Sequence, residues 1–163
     1  MSLKSAFAAL LIFSTTHALA YPSVGDKVTW SGEVQRVDGT SYSIQITKEV
    51  IEHDKKDNKW KVKVDAIMGA EKTSDIFESN ELYSPSQYKN LLAGCTSKGG
   101  TIEDLKLSIG TYKTCKLTTT SEDGTLVEKW WGDIPFGVIS KTTKDSGQVA
   151  KQNPALKSIL VGL

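Results

Sequence analysis

From Lys27 onward, apolar and polar residues alternate at every second position, the period of strands that bury one face. Within Thr40 to Thr47, Tyr42, Ile44 and Ile46 fall on one side and Ser41, Ser43, Gln45 and Thr47 on the other. A preceding run, Val28 to Val37, is separated from it by Asp38-Gly39, a pair that predicts a tight hairpin turn. Trp60, Val62 and Val64 alternate with Lys59, Lys61, Lys63 and Asp65 after the polar turn Asp54 to Asn58, and a fainter strand covers Thr73 to Glu78. The alternation resumes after Gly99-Gly100 with Leu105, Leu107 and Ile109, then Thr111 to Thr120 with Cys115 and Leu117 on one face. Further strands are expected over Thr125 to Trp131, Val138 to Thr143 and, after Asn153-Pro154, Leu156 to Leu163. Gly110, Ser121 to Gly124, Gly132 to Gly137 and Asp145-Ser146-Gly147 supply the turn chemistry between them.

One stretch departs from this period. Ser84-Pro85-Ser86-Gln87 offers an N-cap, a proline at the first helical position and a polar residue to close the cap. Tyr88, Leu91 and Leu92 follow at helical spacing, and Gly94 is placed to stop the helix. Eight or nine short strands with one helix, and no strand–helix–strand alternation, predict a mainly β protein. The expected form is a curved antiparallel sheet or incomplete barrel with the helix against its concave face. Residues 21–163 are read as one domain, since no repeat, linker or second pattern interrupts them.

The first twenty residues read as an export signal. Lys4 precedes the apolar run Ala6 to Phe13, and Ala18-Leu19-Ala20 places small residues before a cut at Tyr21. The apolar run is shorter than the roughly 20 residues of a spanning helix, so the expected product carries no transmembrane segment and is soluble in the periplasm or outside the cell. Cys95 and Cys115 are the two cysteines of the chain. In an oxidising compartment such an isolated pair is expected to form a disulfide, pinning the end of the helix to a later strand.

Charge narrows the list of partners. Without Lys4 the remaining 143 residues carry 19 basic and 19 acidic side chains, which lacks the basic excess of a nucleic-acid-binding domain. Catalytic and metal chemistry find little purchase. His53 is the sole histidine beyond the signal and sits beside a polar turn, no serine lies in a nucleophile elbow, and no zinc or calcium ligand spacing occurs. No cofactor is expected. Two carboxylates meeting in space would allow a hydrolase, which remains the alternative from another class, and a purely structural or interaction domain is a third. The aromatic residues carry more information. Trp30, Trp60, Trp130 and Trp131 all fall on expected strands, and alternation sends Trp130 and Trp131 to opposite faces, one toward the core and one toward solvent or a partner.

Cys95, Gly99-Gly100-Thr101, Gly110-Thr111-Tyr112, Cys115 and Trp130 to Gly137 together resemble a group of exported bacterial β-domains. Those share a cysteine with a double glycine, a Gly-Thr-aromatic strand, a second cysteine and a Trp-x4-Pro-Phe-Gly turn. The order of strands and helix is also similar to the half-barrels of periplasmic lipoprotein carriers. That second resemblance implies a concave apolar face able to hold an acyl chain. The leading expectation is therefore a non-enzymatic envelope protein that binds a lipid, another apolar ligand or a protein partner, with Trp130, Trp131, Phe136 and Tyr83 at the contact.

Overall fold

The computed structural model describes residues 21–35, 40–144 and 157–162, the last of these segments and residue 35 through the backbone alone. The expected signal and the turns at Asp38-Gly39, Asp145 to Gly147 and Asn153-Pro154 lie outside the described residues. Two antiparallel meanders form the body. The first comprises β1 (Lys27–Gln35), β2 (Ser41–Asp54), β3 (Lys59–Met68) and β4 (Glu71–Ser79). The second comprises β5 (Thr101–Leu107), β6 (Gly110–Thr120), β7 (Leu126–Trp131) and β8 (Val138–Lys144). The backbone of β9 (Lys157–Gly162) joins them, so the order across the sheet is β4-β3-β2-β1-β9-β8-β7-β6-β5. The sheet is open, with β4 and β5 at its edges. This is the mainly β, open and curved architecture that the two-residue period predicts.

The helix α1 (Pro85–Ala93) lies on the crossing between the two edges. Its start follows from the sequence: the Ser84 side chain accepts from the Gln87 backbone amide, and the Gln87 side chain accepts from the Ser84 amide at 2.8 Å. Its end differs from expectation. Gly94 caps the helix with φ −95°, an ordinary right-handed value, and the chain continues through a 3-10 turn, Thr96–Lys98, to Gly99 at φ +76°. The left-handed stop therefore falls five residues later, because Cys95 continues in helical geometry to reach Cys115. The Cys95–Cys115 disulfide is present, with α-carbons 5.8 Å apart.

Direct cross-strand partners share a face, so the register assigns every side chain. Val28, Trp30 and Val34 on β1, Val50 on β2, Val62 on β3 and Cys115 on β6 all point to the face that carries α1, here the inner face. These, with Tyr21, Cys95 and Ile139, are the buried apolar core among the described residues. β2 runs beyond the clean alternation of Thr40 to Thr47, because a bulge between Val50 and Glu52 shifts its phase. Curvature is visible in side-chain contacts. In a flat sheet β2 and β7 would stand about 19 Å apart, four strand spacings. Yet the Lys48 ammonium on β2 lies 5.9 Å from the ring centre of Phe136, in the loop that leaves β7. The edge strand β4 is exposed on both faces, including Ile76 and Phe77 at 60% and 41%, and its Glu71, Lys72, Asp75 and Glu78 place charges along the open edge.

Candidate functional site

The loop between β7 and β8 organises one end of the inner face. Gly132 donates to the Gly137 carbonyl at 2.8 Å and Gly137 donates to that of Ile134 at 3.0 Å, closing a tight turn around Pro135 and Phe136. Phe136 adopts φ +64°, a left-handed conformation that costs a bulky residue about 1–2 kcal/mol. The turn holds its ring edge-on to Trp30, with centres 6.4 Å apart. Trp30 is fixed in turn, since its indole Nε1 donates to the Val138 carbonyl at 2.7 Å. At Gly137 (φ +74°) a β-carbon would meet the Tyr83 ring at 2.7 Å. Only glycine lets Tyr83 lie against the turn.

Tyr83 is the hub of an aromatic cluster. It stacks on Tyr21 at 6.5 Å and leans on Trp131 at 5.7 Å. The Tyr21 hydroxyl donates to Asp133 Oδ1 at 2.5 Å. The Tyr83 hydroxyl is buried and has no hydrogen-bond partner among the described residues. Burial pushes the Tyr83 phenol up to about 12, aided by neighbouring Tyr88 and Asp133. Burial and the Asp133 hydrogen bond raise Tyr21 further still.

Between α1 and the inner surface of β6 and β7 runs a groove of about 420 Å³. Leu91 from the helix, Leu117 from β6, Trp131 from β7 and Tyr83 from the crossing segment supply its apolar walls, with Gln87, Asn90 and Lys98 as polar members. Among the described residues no carboxylate lines it. Two anchors keep the roof in place: the disulfide at the end of α1, and the Tyr88 hydroxyl, which donates to the Lys113 carbonyl at 2.9 Å. Gly100 is needed for this closure, because a β-carbon there would press on Leu117 and on the Cys95 sulfur at 2.7 and 2.8 Å.

The four aromatic residues singled out by sequence part company. Tyr83 and Trp131 meet in the groove. Phe136 stands further along the same end, between Trp30 and Lys48. Trp130 points to the outer face, where its indole Nε1 donates to Glu103 and the Lys116 ammonium lies 4.7 Å from its ring centre. Alternation therefore separates the two tryptophans as expected, but neither reaches the core: both are half-buried, Trp130 beside the Lys116 ammonium on the outer face and Trp131 lining the open groove beside Tyr83. His53 stacks face to face on Trp60 at 3.6 Å rather than standing free in solvent. Among the described residues no cluster of three or more His, Cys, Asp or Glu is placed to hold a metal ion.

Lysines supply the functional candidates that the aromatic pattern misses. Lys129 and Lys141 are direct cross-strand partners on the inner face. Lys48 reaches the same region from β2 and feels the charge of Lys129. Lys129 lies 5.9 Å from the Trp131 ring centre, next to the groove. Burial, and then the Lys129 charge, lowers the pKa of both Lys48 and Lys141. Among the described residues none of the three has a carboxylate in ion-pair contact. A sequence signal for them does exist: each occupies the inward phase of its strand, where neighbours Ile46 and Val50, Val127 and Trp131, and Ile139 are apolar.

Fold and site together define an open antiparallel β-sheet with a helix-roofed apolar groove and a lysine cluster beside it. No family model, curated protein or solved structure matches the chain.

Proposed function

We propose that the chain is an exported, non-catalytic binding protein that takes the apolar part of a small ligand into the groove between α1 and the inner surface of β6 and β7. The carrying observation is the groove itself. Its volume of about 420 Å³ lies within the roughly 300–1,000 Å³ of small-molecule sites. Its walls are leucine and aromatic rings, Leu91, Leu117, Tyr83 and Trp131, which suit the apolar part of a ligand. The export reading rests on the signal-like pattern before Tyr21, and the disulfide is compatible with it. The resemblance to lipoprotein-carrier half-barrels read from the sequence makes an acyl chain the proposed apolar part.

The test uses a neutral apolar fluorophore, N-phenyl-1-naphthylamine, titrated into the folded, oxidised protein. Saturable binding with energy transfer from tryptophan is expected, and Leu91→Trp, which fills the groove from the helix side, should abolish it. Absence of binding to the natural chain, or equal binding to Leu91→Trp, refutes the proposal.

A further inference from the structure

We infer that Lys48, Lys129 and Lys141 are the head-group end of this groove, and that the ligand is a single-chain amphiphile with an anionic head. The inference rests on the groove reading above and specifies its ligand. Three observations meet here. Lys129 is the cross-strand partner of Leu117, a groove wall, and its ammonium lies beside Trp131, another wall. A chain lying along Leu117 and Trp131 thus has its end at the lysines. Second, the lysines converge from strands that are distant in the sheet: β2 delivers Lys48, β7 and β8 deliver the directly opposed Lys129 and Lys141. Opposed like charges destabilise a sheet, and half-buried ammonium groups without a counter-charge add a desolvation cost. Third, every lysine ion pair among the described residues lies on the outer face, so none of these carboxylates serves the inner cluster. An anion set among the three ammonium groups removes both penalties at once, which is the charge complementarity that selects this occupant.

Backbone strain at Phe136 supports the same assignment. The left-handed turn places its ring 5.9 Å from the Lys48 ammonium, which also feels the Lys129 charge. Such a lysine is aimed along the inner face rather than released to solvent.

The experiment compares ligands of one chain length on the full, oxidised protein: dodecyl phosphate, dodecanol and dodecylamine below their micelle concentrations, and inorganic phosphate, each displacing bound N-phenyl-1-naphthylamine and each followed by calorimetry. Dodecyl phosphate is expected to bind about tenfold or more tighter than dodecanol, with dodecylamine weakest. Lys129→Met and Lys141→Met should each erase most of that preference while leaving dodecanol within about twofold. Lys129→Arg should retain it, and melting curves of all variants check that they fold. Equal affinity for dodecanol and dodecyl phosphate, or an unchanged preference in both Met variants, overturns the inference while the groove reading stands. Inorganic phosphate binding as tightly as dodecyl phosphate also overturns it, since the chain would then contribute nothing. Failure of every ligand and of the fluorophore removes the groove reading as well.

Discussion

The two faces of the sheet treat the same residue in opposite ways. On the outer face, Lys61 meets Glu52 at 2.9 Å and Lys27 meets Glu49 at 2.9 Å, each pair being direct cross-strand neighbours. Lys116 and Lys144 share Glu128 at 2.6 and 3.5 Å. The hydrogen bond to Glu52 raises the Lys61 pKa, and that from Lys116 lowers the Glu128 pKa. On the inner face, burial and a like charge lower Lys48 and Lys141. Exposed pairs of this kind add little to stability, so they serve solubility and register. The inner lysines oppose folding. A sheet that pairs lysines on its outer face and, among the described residues, leaves three without a carboxylate beside a groove has placed a local cost where a ligand can relieve it.

The largest test of this contrast is to free the roof of the inner face. Replacing Cys95 and Cys115 together by serine opens a crosslink between residues 20 apart, which should lower the unfolding free energy by about 3 kcal/mol, read by urea denaturation. The loss should be uneven. Amide exchange is expected to quicken in α1 and β6, while β2 and β3, remote from the crosslink, keep their relative protection. Uniform quickening across both meanders would mean that the groove is no separate feature of the fold.

A smaller loss is expected at the turn. Gly137→Ala forces a β-carbon onto a left-handed position and into the Tyr83 ring, and should cost roughly 2 kcal/mol. Because Tyr83 must shift, fluorophore binding in the groove should weaken as well. Stability lost with binding unchanged would detach Tyr83 from the site.

How far these features were legible in the sequence follows from the range of the forces that set them. Strand period, the Ser84–Gln87 cap and the Asp54–Asn58 turn are local, and each appears where the pattern puts it. The disulfide was legible because only two cysteines exist. Tyr83 and Trp131 were marked as aromatic candidates, but their meeting depends on Gly137, more than fifty residues from Tyr83 in the chain. Lys48, Lys129 and Lys141 stood in plain view as charges at inward positions. What alternation alone could not supply was the curvature that brings β2 toward β7, nor the bulges after Val50 and Trp130 that reset the phase.

The smallest effect is also the one that separates the faces by sign. Lys48 and Lys141 are opposed by Lys129, and their folded pKa values lie below the ordinary lysine value of about 10.4. Between those values the unfolded chain binds more protons than the folded one, so stability rises with pH through that window. Burial first, and then the neighbouring Asp133 and, for Tyr88, also Asp104, raise the folded pKa values of Tyr21, Tyr83 and Tyr88 above their ordinary value of about 10. Their contribution is complete below that value and is lost as pH climbs past it toward the folded values. Lys61 on the outer face, raised by Glu52, loses its contribution over the same alkaline range. Thermal unfolding should therefore give a melting temperature that increases through the alkaline window below the ordinary lysine value of about 10.4 and falls beyond it. Lys48→Met with Lys141→Met should flatten the rising limb and raise the melting temperature at pH 7 by roughly 2 °C. Lys61→Met should leave the rising limb intact, and Tyr83→Phe should soften the fall. A natural chain whose stability declines steadily from pH 7 to 10 would show that the inner lysines carry no unrelieved charge, and the two faces would then differ in shape alone.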